Sequence, residues 1–247
     1  MSLSNKRPTD NCQWSSNNII KTKIYPTSKN IFQFLKALKS NNNREWFKEN
    51  INTFRTVESA VKEVYSQVYE ELNQLDSIDR YKVFRIYRDV RFSKNKIPYK
   101  THFSGSFHRT KPELRGGYYL HLAPENKSFI ATGFWNPNKE DLLRIRKEFE
   151  TDAEELRALV AAPSFKAVWG TLEGDELVSA PRGFDKQHPN IDLIRKKQFV
   201  FSKKYTDKEV LSEDFIQEVV ASFKAIEPYF NYMSSVLTTN LNGESIL

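Results

Sequence analysis

Regularly spaced apolar positions predict helices in the first part of the chain. Between residues 54 and 75 the apolar positions are three or four residues apart, which is the period of one helix face. These positions are Val57, Val61, Val64, Val68, Leu72 and Leu75. The same spacing at Ile31, Phe32, Leu35 and Leu38 predicts an earlier helix, and residues 44–49 are expected to form a short one. Three helices are therefore expected before residue 76.

The pattern changes to a period of two between residues 83 and 93, which is typical of a β-strand. One face of this strand would carry the apolar side chains of Phe84, Ile86, Val90 and Phe92. The opposite face would carry Arg85, Tyr87, Asp89 and Arg91. Arg88 interrupts the apolar face, so the strand would be bulged there or would bring a charge into the core beside a partner. We also expect Asp89 to be partly buried and hydrogen-bonded among the arginines.

Three more strands are predicted at residues 101–107, 117–123 and 128–135, and the short connections between them favour an antiparallel meander. In the third of these, Tyr119 and His121 would share the face opposite to Leu120 and Leu122. Helices are predicted at 139–149, 152–160, 163–169 and 212–237, with a strand at 198–202 and a kink at Pro228. The fold class is therefore α+β, with a largely antiparallel central sheet flanked by long N- and C-terminal helices.

Length and composition favour one domain. The chain has 247 residues, 39% of them hydrophobic, and no linker is evident after residue 30. Residues 1–27 are polar and are expected to form a flexible arm, which leaves residues 28–247 as the α+β domain. The N-terminus lacks the apolar core of a signal peptide and no run is long enough to span a membrane, so we expect a cytoplasmic protein without membrane contact. The single cysteine, Cys12, excludes an intramolecular disulfide.

The positive charge of the chain is concentrated in one segment. The formal net charge is +7, but residues 80–115 contain eleven Lys or Arg and only two acids, a local net charge of +9. The remainder of the chain therefore sums to about −2. Such a concentration favours an anionic partner more than the overall charge does.

Candidate site residues follow from this segment. Arginine and lysine side chains that converge can hold a carboxylate or phosphate, and tyrosines beside them can stack on a ring. The candidate ligand-binding residues are Arg85, Tyr87, Arg88, Arg91, Lys94, Lys96, Tyr99 and Lys100. The candidate acid and base residues are Asp89, His102 and His121, provided that they converge. The alternative is a solvated face on which Asp89 pairs with its arginine neighbours. No spacing resembles a metal-ligand pattern.

Several motifs, in order, carry a family resemblance. They are residues 43–47 (NREWF), 84–102 with YRDVRFSK at its centre, 117–121 (GYYLH), 133–135 (GFW) and 181–184 (PRGF) before His188 and Pro189. Together they resemble the bacterial and fungal family known as domain of unknown function 2461, over residues 30 to about 240. The resemblance implies one domain and a cytoplasmic setting, and it brings no activity, ligand or mechanism. Asn95 departs from the pattern, because an acidic residue is frequent at its position.

Four functions fit the sequence. The first is binding, or catalysis, at a basic sheet face that holds a small anionic ligand bearing phosphate. The second is nucleic-acid binding along an open basic surface with interleaved aromatic side chains. The third is an enzyme that uses Asp89, His102 and His121, and the fourth is a protein-interaction module with a basic docking face. We place the small anionic ligand first, because cations mixed with aromatic residues indicate an enclosed site. The motifs do not indicate a cofactor or an oligomeric state.

Overall fold

Helices and strands alternate in the part of the chain that is described. The structure is a computed structural model that describes residues 27–247, with side chains from residue 29 onward. Its helices are α1 (Thr27–Ser40), α2 (Arg44–Glu49), α3 (Ile51–Leu72), α4 (Lys139–Thr151), α5 (Glu154–Ala161), α6 (Pro163–Trp169), α7 (Ile191–Ile194), α8 (Asp207–Val210), α9 (Phe215–Lys224) and α10 (Glu227–Thr238). Its strands are β1 (Ile78–Val83), β2 (Phe103–Arg109), β3 (Gly117–Leu122), β4 (Ser128–Phe134) and β5 (Phe199–Tyr205). Over residues 27–247, every helix is too short or too polar to cross a bilayer.

The five strands form one antiparallel sheet in the order β1, β2, β3, β4, β5. The first four are joined by the short connections that the sequence predicts, whereas helices α4 to α7 lie between β4 and β5. This arrangement confirms the α+β class and the antiparallel meander. The predicted arm, residues 1–27, lies outside the described residues except for Thr27, which begins α1.

One face of the sheet is covered by helices. Tyr65 of α3 stacks on Phe107 of β2, with ring centroids 5.9 Å apart. Tyr118 of β3 contacts Phe223 of α9 at 4.7 Å and Phe230 of α10 at 5.1 Å. These aromatic contacts fill the main core, because the residues of β2 and β3 that face the helices are buried. The opposite face of the sheet carries the alternate residues.

A glycine allows α3 to approach the sheet closely. A Cβ atom on Gly105 would lie 2.6 Å from the Tyr65 ring and 2.7 Å from the carbonyl oxygen of Lys82. The Tyr65 hydroxyl donates a hydrogen bond to the carbonyl oxygen of Leu120 at 2.8 Å, which fixes the ring over the glycine. Any larger residue at position 105 would separate the helix from the sheet.

A buried ion pair joins the sheet to the helices. Arg109 of β2 is only 4% exposed, and its Nε and Nη2 atoms donate to the two carboxylate oxygens of Asp76 at 2.7 and 3.1 Å. The Tyr118 hydroxyl donates to the same carboxylate at 2.5 Å, and burial raises the pKa of this hydroxyl, so it stays protonated. The guanidinium carbon lies 4.8 Å from the centre of the Phe230 ring, and Nη1 donates to the Ser234 hydroxyl at 3.4 Å. Arg109 therefore joins four parts of the chain, which are the connection after α3, strands β2 and β3, and helix α10.

The predicted strand at residues 83–93 is wrong. The edge strand is formed by residues 78–83 instead, and residues 84–102 form an irregular loop. Of the residues expected on the apolar face, only Ile86 is buried, and Phe92 is 95% exposed. The reason is that β1 is an edge strand with exposed charged residues. Its alternation of apolar and polar residues is therefore weaker than the alternation in the loop that follows it.

The C-terminal region differs from the predicted single helix. Helix α9 ends at Lys224 and α10 begins at Glu227, with Pro228 in the first turn of α10. Proline is compatible with a first turn, where its missing N–H has no helical acceptor, so the break precedes the proline. The remaining predicted helices agree with α1 to α6 to within a few residues, and α8 was not predicted.

We expect Arg109→Met to lower the free energy of unfolding by about 3–5 kcal/mol, because it leaves the largely buried Asp76 carboxylate, 14% exposed, without its cation. Adding Asp76→Asn should recover part of this loss, since it removes the unpaired charge. Denaturant unfolding of the two single variants and the double variant measures the coupling.

The control is Arg91→Met, which breaks an exposed ion pair and should leave the unfolding midpoint unchanged. Equal midpoints for Arg109→Met and the control would show that the buried ion pair does not hold the fold.

Candidate functional site

Residues 84–102, the basic loop, fold back on themselves and dock on the start of the domain. The Arg88 N–H donates to the Pro98 carbonyl oxygen at 2.9 Å, and the Lys100 N–H donates to the Ile86 carbonyl oxygen at 2.8 Å. The Tyr99 ring stacks on Phe47 of α2 with centroids 3.9 Å apart. These bonds give the loop a defined conformation although it adds no strand to the sheet.

An asparagine from the turn after α1 fixes the same loop. The Asn42 amide donates to the Tyr99 carbonyl oxygen at 3.0 Å and accepts from the Tyr99 N–H at 3.2 Å. A primary amide can satisfy both groups of a peptide backbone at once, as a neighbouring strand would. The position of Tyr99 is therefore set by residues more than fifty positions earlier in the chain.

Most cations of the basic loop face solvent. The side chains of Arg85, Arg91, Lys94 and Lys96 are exposed. Lys96 Nζ donates to the Val90 carbonyl oxygen at 3.0 Å, within the loop itself. Lys100 lines the pocket described below, and Arg85 and Arg91 are not among the residues that line it.

Asp89 is more exposed than expected. Its side chain is 46% exposed, and its carboxylate accepts two hydrogen bonds from the Arg91 guanidinium at 2.7 and 3.0 Å. These bonds lower the pKa of the carboxyl group. Within residues 29–247, the side-chain hydrogen bonds of Asp89 go to Arg91 and none joins it to His102 or His121. The expectation that Asp89 is partly buried is therefore wrong.

Three other cations line a pocket between the basic loop and the end of α1, which we call the cationic pocket. They are Lys39, Arg88 and Lys100, and the cavity has a volume of 380 Å³. Its polar lining includes Asn42, Asn95 and His102. No carboxylate is among its lining residues in the described part of the chain. The structure thus brings together Arg88, Tyr99, Lys100 and His102 of the predicted residues.

Lys100 is half-buried at this pocket. Within residues 29–247 its ammonium group has no carboxylate within ion-pair distance, and burial lowers its pKa, with a smaller effect from the charge of Arg85. The ammonium group lies 5.9 Å from the centre of the Phe84 ring. The described residues therefore neutralise the positive charge of this ammonium group only weakly.

Lys39 and Asn42 were not among the predicted site residues. They precede the basic loop by more than forty positions, and only the fold places them against it. The one signal in the sequence was the asparagine-rich turn at residues 41–43, because asparagine side chains often hydrogen-bond to nearby backbone.

His102 and His121 lie together on the face of the sheet opposite to the core. Their rings stack with centroids 4.2 Å apart, and His121 also stacks on Phe129 at 4.6 Å. The Tyr119 hydroxyl is 3.1 Å from His121 Nδ1. Burial, together with the smaller effect of nearby charge, that of Lys100 included, lowers the pKa of each imidazole to about 4. Both rings are therefore neutral near pH 7 and can stack without repelling each other.

The same face contains a groove with a volume of 840 Å³, which we call the sheet groove. Aromatic rings of Phe84, Tyr119, Phe129 and Trp135 line it, together with Ser106 and His108. The Ser106 hydroxyl is 2.9 Å from His108 Nε2. Alternation along β2, β3 and β4 places these side chains opposite to the core.

Metal binding finds no support in this region. Within the described residues, no group of three or more His, Cys, Asp or Glu side chains is placed to hold a metal ion. The paired histidines face each other as stacked rings and a tyrosine hydroxyl occupies one imidazole nitrogen. The site is therefore built from cations, neutral imidazoles and aromatic rings.

Comparison with known proteins gives one result. A family model described as "Conserved hypothetical protein (DUF2461)" matches residues 30–232. No curated protein and no solved structure matches the chain. The match confirms the resemblance that the sequence motifs indicate, and its description names no activity.

We expect the imidazoles of His102 and His121 to titrate near pH 4, well below the ordinary value of 6.5. In the unfolded chain the same imidazoles are protonated near pH 6.5. Acidification from pH 6.5 to about 4 should therefore lower the free energy of unfolding, and the contribution of these two groups to that loss should stop growing below about pH 4. Histidine ring NMR, with resonances assigned from His102→Asn and His121→Asn, measures both midpoints. Midpoints close to 6.5 would contradict a stacked, half-buried pair.

Proposed function

The chain therefore belongs to the DUF2461 family of conserved hypothetical proteins, and we propose from the geometry of the cationic pocket that it binds a small ligand bearing a phosphate group. The observation that supports this most directly is Lys100, a half-buried ammonium group without a carboxylate partner among the described residues. A cation that has lost part of its hydration is stabilised most by an anion whose oxygen atoms accept its hydrogen bonds. Phosphate provides such acceptors.

Arg88 adds a second donor to the pocket. Its Nη1 atom donates to the Ile97 carbonyl oxygen at 3.2 Å, which holds the guanidinium group against the loop. In the described structure this is the one protein acceptor of its side chain, so the remaining N–H groups are available to a ligand. A guanidinium group held in this way matches the oxygens of phosphate without further ordering.

Lys39 completes the positive lining, although it has a carboxylate partner. Its Nζ atom is 2.7 Å from Glu125, which also binds Lys127 at 2.8 Å. These hydrogen bonds and charges lower the pKa of Glu125 to about 2. Two lysines therefore share one carboxylate, and the pocket wall at Lys39 keeps a net positive charge.

The size of the pocket suits a small ligand. A volume of 380 Å³ lies within the range of about 300–1,000 Å³ that is typical of small-molecule sites. The proposal is binding rather than acid–base catalysis, because the carboxylate of Asp89 is held by Arg91 and the two imidazoles are weak bases. Phosphorylated small molecules are abundant in the cytoplasm, which remains the proposed compartment.

The tip of the basic loop favours a second candidate function, which is contact with nucleic acid. Phe92 is 95% exposed, and the Arg91 guanidinium lies 5.9 Å from the centre of its ring. Exposed Lys94 and Lys96 follow directly. A ring and several cations in solvent are typical of surfaces that contact bases and phosphates of single strands. This candidate predicts that all of the exposed cations contribute to binding.

We expect inorganic phosphate to raise the melting temperature in proportion to the logarithm of its concentration, measured at constant ionic strength. Lys100→Gln should weaken phosphate binding about tenfold or more, because a hydrogen bond to a charged group contributes about 1.5–3 kcal/mol. Calorimetric titration of the wild type and the variant measures this ratio.

The matched control is Lys94→Gln, which removes the same charge from an exposed position of the same loop. It should bind phosphate as the wild type does. Equal weakening by both substitutions would contradict the pocket and indicate general attraction of anions. Tight binding of single-stranded nucleic acid that falls steeply with salt, without phosphate binding, would favour the second candidate.

A further inference from the structure

We infer that the sheet groove is the second half of the same binding site and that it takes the ring of a mononucleotide whose phosphate lies in the cationic pocket. This inference rests on the proposed function and extends it to a ligand class. Its physical basis is the set of aromatic rings on the face of the sheet opposite to the core.

Tyr119 lies at the centre of this ring layer. Its centroid is 5.7 Å from Phe129, 6.3 Å from Trp135 and 6.5 Å from Phe84, at interplanar angles of 37°, 61° and 35°. All four rings are only partly buried although the rings on the other face of the sheet are covered by helices. Aromatic side chains on an open antiparallel sheet provide the surface on which nucleic-acid bases stack.

Two series of contacts connect the groove to the cationic pocket. Lys100 lines the pocket, and its ammonium group lies 5.9 Å from the centre of the Phe84 ring, which lines the groove. His102 also lines the pocket and stacks on His121, whose Nδ1 atom is 3.1 Å from the Tyr119 hydroxyl. A ligand with phosphate on Lys100 would therefore have its next atoms beside the groove.

The charges along the groove agree with an anion at this end. Lys82 of β1 lies on the same face of the sheet as the groove. Its ammonium group is 6.0 Å from the centre of the Phe84 ring, so two lysines, Lys82 and Lys100, flank that ring. The one carboxylate that lines the groove in the described chain, Asp141, forms an ion pair with Arg115. The ring layer thus adjoins positive charge that is not neutralised by the groove itself.

The polar groups of the groove fit a heterocycle better than a hydrocarbon. Ser106 and His108 form a hydrogen-bonded pair at its wall, and burial lowers the pKa of His108, with smaller effects from nearby cations. After this mutual hydrogen bond the pair of a neutral imidazole and a hydroxyl still offers one donor and one acceptor, which suits the edge of a base. The pocket and the groove have volumes of 380 and 840 Å³, which suit a single nucleotide, because an oligonucleotide needs a track for several phosphates.

The test compares adenosine 5′-monophosphate with ribose 5-phosphate, which has the same phosphate and sugar and lacks the ring. By calorimetric titration, the wild type should bind the nucleotide about fivefold more tightly or better, since stacking on one aromatic residue has about that effect. Tyr119→Leu should remove this advantage and should still bind ribose 5-phosphate, which also shows that the variant is folded.

Tyr87→Leu is the matched control, because Tyr87 is a half-exposed tyrosine of the basic loop that packs on Phe47 and Tyr99 and does not line the groove. The nucleotide advantage should persist in it. Equal binding of both ligands by the wild type, or an advantage that survives in Tyr119→Leu, overturns the groove assignment alone. Failure of both ligands to bind overturns the proposed function as well. An oligonucleotide that binds far more tightly than the mononucleotide also overturns the assignment.

Discussion

The buried ion pair between Arg109 and Asp76 determines which side chains reach the groove. Because Arg109 and Tyr118 both bind the Asp76 carboxylate on the core side of the sheet, the relative positions of β2, β3 and the connection that leads into β1 are fixed. Their chain neighbours, His108 and Tyr119, must then point to the opposite face. A slip of one residue in either strand would exchange the two sets and bury an uncompensated charge elsewhere. The ion pair and the ring layer therefore depend on the same register.

The basic loop is positioned by contacts of a different kind. It adds no strand to the sheet, and it is held by the stacking of Tyr99 on Phe47 and by the two hydrogen bonds of Asn42. This docking turns Arg88 and Lys100 towards Lys39, while the tip of the loop with Arg91 stays in solvent. The segment with the highest charge is thus divided into an inner part that forms a pocket and an outer part that contacts water. The two candidate functions correspond to these two parts.

The spacing of apolar residues predicted the helices and strands that have one face buried in the core. The helix α3 and strands β2 to β4 follow from apolar spacing, and alternation correctly placed Tyr119 and His121 opposite to the buried Leu120 and Leu122. The strand predicted at 83–93 failed because alternation there reflects local composition, and Phe92 is 95% exposed rather than packed in the core. Lys39 and Asn42 could not be assigned to the site from the sequence, because long-range docking of the loop brings them there. The class of fold is thus encoded locally, whereas the pocket depends on tertiary contacts.

The central claim is that the cationic pocket and the sheet groove are two halves of one site that meet at Lys100 and the stacked histidines. A crystal structure of the protein with adenosine 5′-monophosphate tests it most directly. We expect the phosphate within hydrogen-bond distance of Lys100 Nζ and the adenine ring stacked on Tyr119. A phosphate bound to Arg91 or Lys94 at the tip of the loop, with the adenine in solvent, would contradict the claim.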